Sequence, residues 1–480
     1  MERNNGLGSI TPFGNLMKSN TSIPLGGAVI IRNIEERFGL FSKLFGGLGG
    51  DAKDFVPLVK LHLYNKLTHS VSVNQILETY SEELFELLGM KESPGERTLY
   101  RTLERTGKCF PVVMERYQRF INENNFVDSN QIIDFSSTHM EGEKSELAVH
   151  GYSRDHRPDR PQINFGISTG INSIPTALTV QKGNVQDKKH MREILKLLPE
   201  VIPEDSLLIF DTGGNTRKNK ETMRNLHYHY LTLRAKRVGN YKTHIGLFNE
   251  RMKEGSVEHF QINCRPYYCV KKKENDGSVS YLYFSPEQYR IQMKIKEKKF
   301  QRQKEKGNKM LGKRKPTILP SDMGWVELIP SVQKTLFSMD NPYINGLEGF
   351  FILESSVDAD PEKILRLYKE RDKAEKFIRA LKEGMELRPI RHWNTWSVIG
   401  IFFISFLANF LINLTQLLSK ISPVKNVKLL KKSLINLTLT IVYPKNGFRF
   451  RILSNVSPQI LAIFGDFVWK FGDKSLSLRW

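Results

Sequence analysis

The stretch 206-SLLIFDTGGNTRKNKETMRNLHYHYLTLRA-235 decides the fold class. SLLIFD is a short apolar run that ends on a carboxylate, which reads as a buried strand opening into a loop at Asp211. Gly213, Gly214 and Asn215 break the run, TRKNKETMRNLH has helical character, and HYLTLRA is a second strand. Upstream, QIIDFSST (131–138), INFGISTG (163–170) and IPTALTVQKG (174–183) read as three more strands, followed by an amphipathic helix in DKKHMREILKLLPE. Three strands, then helix, strand, helix, strand predict an α/β mixed sheet of single-domain size.

Working outward, the 480 residues predict more than one domain. Residues 1–22, rich in Gly, Asn, Ser and Thr, are expected to form a flexible lead. Residues 23–125 read as mostly helical. Within them 93-SPGERTLYRTLERTG-107 places a turn before a helix with Leu99 and Leu103 on one face and Arg97, Arg101 and Arg105 on the other. That pattern suits the second helix of a helix-turn-helix lying in a groove as well as any surface helix; the strongly basic charge of the chain favours the first, with Arg97 and Arg101 as DNA contacts. Residues 236–345 interrupt the sheet region with strand-like HFQINCRPYYCVKKK and SVSYLYFS and a basic helical arm (286–315). Between Arg290 and Lys315 this arm holds twelve basic and two acidic residues. LEGFFILESS then reads as a buried strand, and 358-DADPEKIL begins a helix that Asp360 can cap and Pro361 can open.

The composition narrows function. Apolar residues at 40% and charged residues at 26% fit a folded chain, while a formal charge of +21 attracts polyanions, nucleic acid first among them. Three cysteines, Cys109, Cys264 and Cys269, supply neither a disulfide framework nor a zinc-type pattern, and the N-terminus lacks signal-peptide character; both point to a reducing cytoplasm. Ser397 to Ser419 is free of charge for 23 residues, long enough for a membrane span. Asn409, Asn413 and Gln416 within it favour a buried core helix, so no membrane partner is expected.

Candidate chemistry lies in three carboxylates. Asp134 and Asp211 stand at the polar ends of apolar strands, where a side chain is held rigidly yet exposed. The third is in 368-YKERDKAEKFIRALK-382. On a continuous α-helix Tyr368, Glu375 and Lys382, spaced by sevens, drift only about 20° per heptad, and Arg371 lies one turn before Glu375. All four would share a stripe about 21 Å long. Three carboxylates can hold two Mg²⁺ or Mn²⁺ ions, which suits phosphodiester chemistry.

Asp134, Asp211 and Glu375, in this order, resemble the DDE triad of insertion-sequence transposases, and Tyr368, Arg371, Glu375 and Lys382 match the Y-(2)-R-(3)-E-(6)-K signature of the type-four insertion-sequence group. The stretch 151-GYSRDHRPDRPQINFGIS-168 resembles the loop that follows the first aspartate in one branch of these enzymes, and FDTGGNTRKN the block around the second. The resemblance implies a ribonuclease-H-like core (126–235 and 346–420) interrupted by a β-rich insertion; residues 23–125, helical in pattern, are expected to form an all-α DNA-binding domain, and 421–480 a helical C-terminal region with a possible role in dimerisation. It implies metal-dependent cleavage of double-stranded DNA at terminal inverted repeats and strand transfer into target DNA, with two metal ions per active site. A homodimer on DNA in a prokaryotic nucleoid is the expected setting. Lys382 and Arg371 would hold phosphates and Tyr368 would pack against the same strand. Arg154, Arg157 and Arg160 would lie on a loop near the metals, or pair internally as a turn. Trp325 is a candidate wedge for a flipped base. The alternative from another class is a transposase-derived DNA-binding repressor that no longer cuts.

Overall fold

The computed structural model describes residues 17–50, 54–141, 145–311, 317–321, 324–328, 341–392, 394–419, 427–444 and 449–473. The chain divides into two compact units, one of Met1–Ser206 with Asp372–Trp480 and one of Leu207–Arg371. Both mix helices and strands.

The first unit begins with helices α1 (Gly26–Phe38), α2 (Leu40–Phe45), α3 (Phe55–Leu67), α4 (Ile76–Thr79), α5 (Glu82–Leu87), α6 (Glu96–Lys108) and α7 (Phe110–Glu123). An antiparallel run of strands follows, in the order β4 (Pro175–Lys182), β3 (Gln162–Gly170), β2 (Asn130–His139). Helix α8 (Asp187–Leu197) covers β3 and β4 with His190, Met191, Ile194 and Leu195.

The apolar stretch of the sequence becomes the core helix of this unit, α14 (Thr395–Ser419). It is long and apolar enough to cross a membrane, yet 89% of its most apolar window is buried. Phe402, Phe403, Phe406 and Phe410 pack on Phe165, Phe110 and Tyr117 with ring centroids 5.1–5.6 Å apart. Two glycines set its crossing with α6. A Cβ at Gly107 would stand 1.8 Å from the Trp396 carbonyl oxygen, and one at Gly400 2.1 Å from that of Leu103. Only hydrogen side chains allow the two backbones so close.

Two expectations are corrected here. The lead is not wholly loose, because Met17–Pro24 forms strand β1, which pairs antiparallel with β13 (Thr438–Pro444), itself paired with β14 (Phe450–Ser454). The C-terminal region is accordingly mixed, with α15 (Val427–Asn436), two strands and α16 (Pro458–Phe464). The physical reason is non-local: β1 gains its ladder partner some 420 positions away, where no local pattern reveals it.

In the second unit β5 (Leu207–Phe210) runs parallel to β6 (His229–Leu233), with α9 (Arg217–Asn225) between them. Strand β12 (Phe350–Ser355) lies antiparallel to β6, and β9 (Val279–Phe284), β8 (Arg265–Lys273) and β7 (Glu258–Ile262) continue outward from it. The strands at 258–284 therefore extend the sheet that β12 belongs to. Tyr241 and Phe248 of α10 (Val238–Lys253) pack with Val270, Leu282, Leu347 and Ile352 as the core of this extension. Helix α11 (Pro286–Leu311) carries the basic run as far as Leu311, its last residues, 312–315, lying outside the described residues, and β10 (Thr317–Ser321) pairs with β11 (Gly324–Leu328) as a hairpin.

The helix carrying the four-residue signature is not continuous. Asp360 caps α12 (Pro361–Lys369), its side chain accepting from the Lys363 amide at 3.1 Å, as the sequence suggested. The chain turns at Glu370–Arg371, α13 (Asp372–Arg379) follows, and Ala380–Gly384 forms one π turn. The single stripe read from the spacing required an unbroken α-helix. The break and the π turn remove that register.

Candidate active site

In the first unit, β2 is buried along its length except at Asn130 and Asp134, which are half-buried. Asp134 stands opposite Ile167 of β3, and its Oδ1 accepts the Phe135 amide at 3.0 Å. Helix α13 packs over β2 and β3 with Ala374, Phe377 and Ile378, which leaves Glu375 on its exposed face. Asp134 and Glu375 thus belong to one unit and to elements that touch.

Lys382 departs most from its expected role. Its side chain is 9% exposed and donates at 2.8 Å to Asp155, which is 3% exposed and also accepts from Arg388 at 3.2 Å. His139 Nδ1 lies 3.6 Å from the other Asp155 oxygen. Burial raises the Asp155 carboxyl, but Lys382 and Arg388 outweigh it and hold the group below its ordinary range. Burial pulls Lys382 below an ordinary lysine, against the pull of Asp155.

Just beyond, two lysines from distant elements cap the end of the π turn. Lys66 of α3 donates to the Met385 carbonyl at 2.8 Å and Lys431 of α15 to that of Gly384 at 2.7 Å. Cations at a helix C-terminus satisfy carbonyls that lack intrahelical partners. Burial lowers both lysines to about 8; each other's proximity adds to this for Lys66, while Glu386 opposes it for both.

The arginines of the loop after the first aspartate all have carboxylate partners, two of them within the loop and Arg154 at the start of α8. Arg154 makes two 2.7 Å contacts to Asp187, Arg157 grips Asp159 at 2.8–2.9 Å, and Arg160 lies 3.7 Å from the same Asp159. On α6, Leu99 and Leu103 are buried and Arg97 and Arg101 exposed, whereas Arg105 turns inward to the Leu48 carbonyl at 2.6 Å.

In the second unit, buried β5 delivers Asp211 to the start of a short 3-10 turn, where its Oδ1 accepts the Thr212 amide at 2.6 Å. Its Oδ2 lies 3.0 Å from Arg371 Nη1, and the Arg371 guanidinium sits 5.9 Å from the centre of the Tyr368 ring. Three residues singled out from sequence therefore meet here. Beside them a cavity of about 620 Å³ is lined by Thr212, Arg217, Lys220, Arg234, Arg237 and Glu354. Glu354 is 3% exposed and held by Lys220 at 2.5 Å and Arg234 at 3.3 Å. Sequence reading passed over this group. The signal was a glutamate inside the apolar run FFILES. Trp325 lies on β11 opposite Pro320.

Among the described residues, no group of three or more His, Cys, Asp or Glu side chains is gathered as a metal ion would require. A family model described as the transposase DDE domain matches residues 127–411, more than half of the chain. No curated protein matches the chain in sequence. Among solved structures, the cryo-EM structure of a piggyBac transposase synaptic complex with hairpin DNA aligns at a TM-score of 0.39 and 10% identity, over 86% of this chain and 79% of that one.

Proposed function

Because the chain belongs to the transposase DDE-domain family, we propose that it is a transposase of the type-four insertion-sequence group. It would cut double-stranded DNA at terminal inverted repeats and join the ends to target DNA. One observation carries this reading: the family match spans Asp134, Asp211 and Glu375 together with the Tyr368, Arg371 and Lys382 signature.

The three carboxylates fit Mg²⁺ or Mn²⁺ as donors, being hard oxygen ligands. Asp211 keeps about half of its surface exposed while the Thr212 amide fixes one oxygen. Two ions, when bound, would polarise the phosphodiester and stabilise its entering and leaving oxygens. The chain's own residues supply the rest. Arg371 orients Asp211 and offers a forked donor to a neighbouring phosphate. Tyr368 backs that guanidinium. Lys382 reaches a phosphate only where that anion competes with Asp155, and Arg154, Arg157 and Arg160 likewise exchange carboxylate partners for phosphates. The basic run of α11 gives further backbone contacts, and Trp325 is a candidate base wedge. A ribonuclease-H-like core and a homodimer bridging two ends complete the proposal.

The test is an end-cleavage assay on linear DNA carrying the inverted repeats that flank the coding region. Mg²⁺-dependent nicks at the repeat ends are expected. Binding to those ends without cleavage would replace this reading with that of a repressor.

A further inference from the structure

Helix α6 is not a free-standing recognition helix. Its apolar face is pressed along α14 at the Gly107–Gly400 crossing, and its arginine face opens into a recess of about 840 Å³ within the first unit. The far wall is the segment 386–392, which directly follows the π turn. Arg97, Tyr100 and Arg101 form one side, Arg388 and Arg391 the other, and Lys66, His62 and Asn65 lie deeper.

The recess is cationic at its rim. Its lining carries five Lys or Arg side chains and two carboxylates, Glu104 and Glu386, of which Glu104 is already paired with Lys108 at 2.6 Å. Arg391, two-thirds exposed, has Glu141 at 3.1 Å as a partner that an incoming anion could displace. Deeper in, Lys66 is committed to the Met385 carbonyl, and the two imidazoles are uncharged. Burial lowers His62 and His392 to about 4, so both imidazoles are neutral at physiological pH. His62 Nε2 donates to the Leu99 carbonyl at 3.1 Å, which leaves Nδ1 as an acceptor. Tyr100 is 38% exposed, with its ring edge-on to His392 at 6.3 Å. Arginines at the rim, an exposed aromatic ring and neutral hydrogen-bonding groups below are what an unstacked strand of nucleic acid needs: charge for phosphates, a face for a base, polar atoms for its edge.

We propose that this recess binds a single-stranded segment of DNA, with Arg97 and Arg391 on its phosphates and a base stacked on Tyr100. The proposal rests on the transposase reading, since only a DNA-processing role supplies such a strand. It also ties strand binding to the catalytic helix, because Lys66 lines the recess and holds the Met385 carbonyl at the end of the turn that follows Glu375.

The experiment uses the full chain, a fluorescein-labelled single-stranded oligonucleotide of mixed sequence, the same sequence as a duplex, and a salt series read by anisotropy. Arg97→Ala with Arg391→Ala should lower the single-strand log–log slope by about 1.4, two phosphates at roughly 0.7 each. Tyr100→Ala should weaken single-strand binding about fivefold or more, and Tyr100→Phe should restore it. Duplex binding should change less in every variant. If the wild type binds neither probe, the transposase reading falls. If it binds DNA and the variants keep its slope and affinity, or lose duplex and single strand alike, the recess is not a strand site.

Discussion

At the scale of the residue, the signature's last lysine shows how a charge read as a contact can be a structural tie. Lys382 and Arg388 converge on Asp155, and neither Lys382 nor Asp155 is more than 9% exposed. Removing one partner of a buried pair strands the other, which costs about 3 kcal/mol. Asp155→Asn should therefore lower stability by that order in urea unfolding, and Asp155→Glu should recover part of it. No loss on Asp155→Asn would mean that Lys382 is solvated and free for phosphate. Arg371 is the opposite case. It was expected to face DNA, and it also reaches Asp211 at 3.0 Å, so its charge serves the carboxylate before any ligand arrives.

At the scale of the element, the crossing of α6 and α14 has no slack. Gly400→Ala would put a methyl group onto the Leu103 carbonyl and should cost about 2 kcal/mol or more, read as a fall in melting temperature. An unchanged melting temperature would show that the crossing yields. The same scale explains what was legible. The strands at Asn130–His139, Gln162–Gly170 and Leu207–Phe210 follow from apolar runs with polar ends, and the cap of α12 follows from Asp360 and Pro361, because these signals are local. The turn at Glu370–Arg371 was not legible, since 368–382 has neither proline nor glycine to announce it. Nor were the partners of Lys382 and Arg154, which come from positions remote in sequence. Carboxylate candidates could be read because a charged residue at the end of an apolar strand stands out; the ion pairs that occupy their basic neighbours could not.

At the scale of the whole molecule, the buried lysines give the fold a signature in pH. Lys66 and Lys431 fall from the ordinary 10.5 to about 8 through burial, with Lys431 acting further on Lys66 and Glu386 opposing in both. Between those values the unfolded chain binds more protons than the folded one, so this contribution to stability rises with pH across the window and is lost as pH falls through about 8. The stability of the wild type relative to a Lys66→Met, Lys431→Met variant should therefore climb from about pH 7 to about pH 10. A flat difference would mean that neither lysine is desolvated. A net charge of +21 is spread over a chain whose proposed work is on a polyanion. The central claim is that Glu375 joins Asp134 and Asp211 in one metal-dependent reaction on DNA. It is tested most directly by measuring Mg²⁺-dependent cleavage of an inverted-repeat end by the Glu375→Gln variant, with binding to that end followed in parallel. Cleavage should vanish while binding persists; cleavage at the wild-type rate would contradict the account.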